Sequence, residues 1–258
     1  TMNVSLYWFV EGVYKSVNKD AIIVIDATRF SSTVITALAC GIEKIIPLDN
    51  PEKYLEYVDD RSKFILAFED DEAKKIPYAD IGNSPKELLK IMSTDKFRQV
   101  KTMIIRSRAG SQLLYTAKTL GLKNVLIGSF PNARALAAYI FKRGFNGVGI
   151  VCSGYRRSNF ALDDYLAAGS IVYEILKCDP KVVLDEQLFG AYLAYVGANK
   201  LGIPIGEIIL NRANVGNDLK NINCIDDVDI ISQSNVHDIV PILVGDFIVD
   251  ALKSCIKG

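Results

Sequence analysis

The segment VIDATRFSST, residues 24–33, sets an acid, a base and three hydroxyls directly behind an apolar run. Asp26, Arg29, Ser31, Ser32 and Thr33 follow residues 21–25, which read as a buried strand. A carboxylate can hold a hard cation, a guanidinium can hold a phosphate or carboxylate, and hydroxyls can cap a helix or touch a ligand. Three later stretches repeat the arrangement with other residues: RSRAGSQ (106–112), GSFPNA (128–133) and CSGYRRSN (152–159). Each is rich in Gly and Ser, follows an apolar run and precedes a segment of helical spacing. In parallel α/β sheets, ligands lie beyond the carboxyl ends of the strands. Helix N-termini there offer free N–H groups and a dipole that favours anions. The four segments are therefore expected on one edge of one sheet.

Other chemistries lack their residues. The single histidine, His237, has no partner motif beside it and reads as a surface or turn residue, which removes a Ser-His-Asp or phosphohistidine mechanism. Cys152 opens a loop whose arginines stand too close for a thiol-phosphatase cradle. Asp26-Ala27-Thr28 lacks the second aspartate of an aspartyl-phosphate pair, and no nucleotide-binding glycine loop is present. Thirty basic residues balance thirty acidic ones without a basic block, which argues against nucleic acid or an anionic membrane as partner. Apolar runs fall well short of the roughly 20 residues that span a bilayer. No basic-then-apolar leader opens the sequence, so a cytoplasmic protein is expected. Five scattered cysteines form no CxxC pair and read as reduced, buried thiols.

These residues need a scaffold, and the periodicity predicts one. Strands are expected at 21–25, 44–48, 63–68, 102–105, 124–127 and 147–152. Helices are expected at 33–40, 51–58, 112–120, 133–142, 162–176 and 186–198, and a late hairpin at 238–250 turning at Gly245-Asp246. The alternation implies a layered α/β/α fold with a mainly parallel or mixed sheet. A core lobe is expected over 1–179, with a C-terminal α/β portion, 180–258, packed on it. From the residues alone, the reading is an α/β protein that binds a small anion, with Mg²⁺ as the cation that suits such a donor set.

Beyond this, the run 26–47 (DATRFSSTVITALACGIEKIIP) resembles the opening motif of the 2-phosphosulfolactate phosphatase (ComB) family, matching it at Asp26, Arg29, Ser32 and Thr33. GNSP at 82–85 is similar to a second family block, GSFPNA at 128–133 to a third, and 151–172 to a fourth, with Asp163 and Asp164 on its acid pair. The segments NRANVGNDL and VHDIVPIL resemble the family's close. The blocks occur in order over nearly the whole chain. The resemblance implies a Mg²⁺-dependent phosphatase that converts 2-phospho-3-sulfolactate to 3-sulfolactate and phosphate, a step of coenzyme M synthesis. It implies Asp26, Glu69, Asp163 and Asp164 as metal-holding acids and Asp26 and Arg29 at the reacting centre, where Arg108, a residue of this chain and not of the family motif, is expected to join them. It also implies Ser32, Thr33, Asn83, Ser84, Ser107, Gly110, Ser111, Gly128 and Ser129 around a small polyanionic substrate.

Two family motifs are altered. Where the family has G-E-R, this chain has FEDD at 68–71, so Glu69 remains and the arginine is gone. Where the family has T-T-N-G-T, this chain has SRAGS at 107–111. Arg108 is expected to restore anion-binding charge from another strand end. Other readings stay open at this point. Asp26 could cap a helix, Asp163 or Asp164 could be a first-turn helix acid, Asn83 and Ser84 could shape a turn before Pro85, and Glu69 could belong to a solvated acidic run. A phosphatase for another small phosphorylated acid, a silent anion-binding member and a structural subunit of a homo-oligomer are the alternative functions.

Overall fold

A computed structural model describes residues 1–253 of the chain. Ten strands form one sheet: β1 (Asn3–Trp8), β2 (Ala21–Ile25), β3 (Lys44–Leu48), β4 (Phe64–Phe68), β5 (Thr102–Arg106), β6 (Val125–Ile127), β7 (Gly147–Cys152), β8 (Val183–Leu184), β9 (Pro241–Val244) and β10 (Phe247–Asp250). Their order across the sheet is β4-β5-β3-β10-β9-β6-β2-β7-β1-β8. Every pairing is parallel except those made by the β9–β10 hairpin, which runs antiparallel to itself, to β3 and to β6. The expected layered fold with a mixed, mainly parallel sheet is what the chain adopts.

The central strand shows why the apolar runs are continuous. In β2, Ala21, Ile23 and Ile25 pack on one face against α5 (Ala133–Arg143) and α6 (Leu162–Cys178). Ile22 and Val24 pack on the other face against α1 (Phe9–Lys15), α2 (Ser32–Ala39) and α4 (Gly110–Thr119). Alternate side chains of a strand point to opposite faces, so a strand covered on both sides must be apolar at every position. Each of its isoleucine and valine side chains contributes about 1.5–3 kcal/mol when fully buried.

Further helices are α3 (Pro85–Met92), α7 (Glu186–Lys200), α8 (Ile205–Asn211), α9 (Val215–Asn221) and α10 (Asp227–Ile231). Among the described residues no single helix is long and apolar enough to cross a membrane. The predicted helix at 51–58 is instead a 3₁₀ segment, Pro51–Glu56, entered through the Asn50 side chain, which accepts from the Glu52 N–H. Strand β1 and helix α1 precede the first element that periodicity predicts. The thiols are less uniformly buried than expected: Cys152 is buried, Cys40 and Cys224 are half-buried and Cys178 is exposed, while Cys255 lies outside the described residues.

Candidate active site

Strand β2 delivers Asp26 to the floor of a cavity of about 550 Å³ at the sheet's carboxyl edge. The chain leaves the strand through a single wide turn, Ala27–Ser31, in which the Ser31 N–H donates to the Asp26 carbonyl at 2.9 Å. The Asp26 N–H is held by Ser31 Oγ at 2.9 Å. Asp26 does not cap the helix that follows it. Its Oδ2 accepts the Gly110 N–H at 3.0 Å, at the start of α4, 84 residues away. Gly110 permits this approach because a Cβ there would lie 2.2 Å from the Phe30 ring. Asp26 Oδ1 has no hydrogen-bond donor among the described residues.

Arg29 is 5 % exposed and locked between two acids. Nη1 donates to Asp227 Oδ2 and Nη2 to Glu69 Oε2, both at 3.2 Å, and Nη2 also reaches the Ala73 carbonyl at 3.1 Å. Glu69 Oε1 accepts the Arg108 N–H at 2.9 Å, so this one carboxylate couples Arg29 to the loop after β5. Asp227, 1 % exposed, accepts from Ser84 Oγ at 2.7 Å and from the Lys86 N–H at 3.0 Å. The GNSP block thus reaches the site through Asp227 and Arg29.

From α6 come the paired acids. Asp164 ties three segments together, accepting from the Ala27 N–H at 2.9 Å, the Gly154 N–H at 2.9 Å and Ser153 Oγ at 3.2 Å. Asp163 lines the cavity beside Thr28. These acids crowd one another. Burial, then Glu69, then Asp163 push the Asp26 carboxyl up to about 7, against the pull of the Gly110 N–H and Arg108. Burial also raises Asp163, and burial with the Asp163 and Asp26 charges raises Asp164 well above the carboxylate range. Burial alone would lower Arg29, but Glu69 and Asp227 outweigh it and hold the guanidinium charged. Cys152 is buried, its thiol pushed well up by burial and by Asp164, which makes it inert as a nucleophile.

The rim is built differently. Arg108 Nη1 donates to the Asp71 carbonyl at 3.1 Å, and Nη2 stands 3.8 Å from Asp218 Oδ2. Lys74, Arg156 and Arg157 complete a basic rim facing Asp71, Glu72 and Asp218.

Of the residues expected at the site, Asp26, Arg29, Glu69, Arg108, Asp163 and Asp164 line this cavity. The others stand outside its lining, and their bonds say why. Ser32 Oγ donates to the Ala27 carbonyl and Thr33 Oγ1 to the Arg29 carbonyl. Ser107 and Ser111 pair with each other at the start of α4, each N–H donating to the other's hydroxyl. The loop amides expected to be free for a ligand are used: Gly110 N–H by Asp26, and Gly128 N–H by the Val24 carbonyl at 3.1 Å. Ser129 is fully buried and its N–H donates to Asn132 Oδ1. Ser84 caps α3, and Asn83 is buried beside it. His237 is half-buried and outside the cavity. Sequence reasoning missed Asp227, Asp218, Tyr155, Arg156 and Arg157. The CSGYRRSN loop did carry a signal, two adjacent arginines at a strand end; Asp227 carried none, because its partner Arg29 is 198 residues away.

For a metal, the donors are all carboxylate oxygens, which suits a hard cation. Glu69 and Asp164 have both oxygens committed to hydrogen bonds, which leaves Asp26 and Asp163 as available donors. Among the described residues no three His, Cys, Asp or Glu side chains stand as a ready ligand set. That still fits Mg²⁺, which commonly takes one or two carboxylates and completes its shell with water and substrate phosphate. The mutual repulsion that raises Asp26 is the kind that a bound cation relieves.

Comparison with known proteins identifies the family. Residues 9–246 match the family model described as 2-phosphosulpholactate phosphatase. A probable 2-phosphosulfolactate phosphatase of Carboxydothermus hydrogenoformans is 30% identical over 240 residues, 93% of this chain and 92% of its own length. One from Clostridium novyi is 29% identical over 228 residues, 88% of this chain and 90% of its own. One from Clostridium beijerinckii is 30% identical over 226 residues, 87% and 88% respectively. With the family model spanning strands β2 to β9 and every cavity-lining acid and arginine, the chain belongs to the 2-phosphosulpholactate phosphatase family, a family of phosphoric monoester hydrolases.

Proposed function

We propose that this protein hydrolyses 2-phospho-3-sulfolactate to 3-sulfolactate and phosphate, with Mg²⁺ held by Asp26 and Asp163. This is the reaction that the motif resemblance ties to coenzyme M synthesis. One observation carries the reading: buried carboxylates, Asp26 and Asp163, and the guanidinium groups of Arg29 and Arg108 line a single strand-end cavity. A phosphomonoester dianion cannot approach bare carboxylates, but it is attracted where cation and arginines offset them. When bound, the metal would polarise the phosphoryl oxygens and acidify a water.

The chain's own residues do the rest. Arg108 offers its partly open guanidinium to the phosphoryl oxygens, where charge builds in the transition state. Arg29 cannot swing away, because Glu69, Asp227 and the Ala73 carbonyl hold it, so its charge is preorganised toward the floor. Glu69 fixes the spacing between the two arginines through Arg29 Nη2 and the Arg108 N–H. Asp164 holds the Ala27 and Gly154 backbones, and with them both walls, in place.

The test is phosphate release from 2-phospho-3-sulfolactate with Mg²⁺, with and without EDTA. Metal-dependent turnover of about 1 s⁻¹ or more is expected. No release from folded protein in excess Mg²⁺ would refute the assignment.

A further inference from the structure

We propose that the turn at residues 155–158 is a recognition site for a second anionic group of the substrate, a sulfonate or carboxylate, which Arg156 and Arg157 hold while the phosphoryl group lies on the floor. The proposal rests on the phosphomonoester reading above and adds to it the part of the cavity that selects the substrate.

The loop after β7 closes on itself. The Tyr155 N–H donates to the Asn159 carbonyl at 2.8 Å and the Asn159 N–H returns to the Tyr155 carbonyl at 3.0 Å, while the Ser158 N–H reaches that same carbonyl at 3.4 Å. Arg156 and Arg157, with φ of 50° and 65°, are the two central residues. Two successive left-handed residues make a type I′ turn, for which Asn-Gly is the favoured pair and arginines are poorly suited. Local strain of this kind concentrates at ligand-binding positions. Here it puts two adjacent guanidinium groups on the wall of the cavity, both exposed.

Their present partners are weak. Arg156 Nη2 lies 3.5 Å from Asp218 Oδ1 and its guanidinium lies over the Tyr155 ring, 5.1 Å from the centroid. Tyr155 Oη donates to the same Asp218 oxygen at 3.2 Å. Arg108 faces the other oxygen at 3.8 Å, and among the described residues that atom, Oδ2, accepts no hydrogen bond although it is buried. Asp218 on α9 is thus a carboxylate held by one tyrosine hydroxyl between two loosely paired arginines. A substrate sulfonate or carboxylate offers the same chemistry with free lone pairs, and bidentate arginine contacts to such a group are strong and geometrically selective. Arg157 lines the same cavity as Asp71. The wall therefore carries more cationic donors than its own acids engage closely.

The test replaces Arg156→Asn together with Arg157→Gly, which removes both charges and supplies the pair the turn prefers, so a folding defect is not expected. Two substrates are compared with Mg²⁺ present: 2-phospho-3-sulfolactate, and phenyl phosphate, which has no second anion. The ratio of their kcat/KM values is expected to fall about tenfold or more in the variant, the loss residing in KM. Equal losses on both substrates, or no loss, would overturn the proposal. A second arm measures the rise in Tm that 3-sulfolactate, which has no phosphate, causes in each protein. A rise in the wild type that the variant loses supports the subsite, and an equal rise in both, or none in the wild type, refutes it. If the wild type hydrolyses neither substrate, the phosphatase reading fails while this binding arm still decides the subsite.

Discussion

The floor and the rim of the cavity use the same residue types in opposite ways. On the floor, Arg29 is nearly sealed from solvent and bonded to Glu69, Asp227 and a carbonyl. On the rim, Arg108 and Arg156 stand 3.8 and 3.5 Å from Asp218, with side chains 25% and 63% exposed. A buried charge whose partner is lost cannot turn to water, whereas an exposed one is solvated and screened. The floor is therefore expected to tie function to stability, and the rim to separate them.

Arg29→Met tests the floor most severely. It leaves Glu69 and Asp227 as buried, uncompensated acids, and a loss of about 3–5 kcal/mol in urea unfolding is expected, together with loss of phosphate release. A loss below about 1 kcal/mol, the range of exposed pairs, would erase the distinction between the two regions.

Asp26→Asn sharpens it, because stability and activity should move in opposite directions. The native Asp26 pKa of about 7 lies above the ordinary value of 3.8. The folded chain therefore binds this proton more tightly than the unfolded chain does. Its contribution to stability is fully present below about pH 4 and is lost as pH rises toward 7, at about 1.4 kcal/mol per pH unit. The asparagine variant is expected to be more stable than wild type at pH 8 without metal, by denaturant titration, and to lose turnover by about 100-fold or more. Mg²⁺ should raise the wild-type Tm more at pH 8, where Asp26 is ionised, than at pH 5, where the cation must displace a proton. An equal rise at both pH values would remove Asp26 from the metal site.

The smallest effects belong to the rim. Arg108→Ala should cost less than about 1 kcal/mol of stability yet raise KM for the phosphorylated substrate about tenfold. Unchanged phosphate release and unchanged anion affinity would end the idea that Arg108 replaces the arginine missing after Glu69. A stability loss on the scale of Arg29→Met would instead place Arg108 with the floor.

The two regions were also unequally visible in the sequence. Asp26 and Arg29 stand out because they break an apolar run at a strand end. The neighbouring hydroxyls looked equally eligible, but Ser32, Thr33, Ser107 and Ser111 bond the backbone or one another and leave the cavity lining to others. Sequence proximity to a functional acid carries no information about where a short hydroxyl points. Asp227 was invisible for the converse reason, since it sits among acids at the start of a five-residue helix, with nothing local to mark it.

The sequence by itself determined the strands that are buried on both faces, to the residue in β2 and β7, because burial on both sides forces an unbroken apolar run; β3 was placed to the residue as well, although its first residue, Lys44, is exposed. It also determined the late hairpin and the strand-end position of Asp26. Only the tertiary structure decided that this hairpin sits inside the sheet between β3 and β6, since pairing partners are chosen by shape and packing at long range. It also decided which acid faces which arginine. Glu69, Asp227 and Arg29 meet from three distant segments, and their charges acquire strength only where folding has removed the water between them.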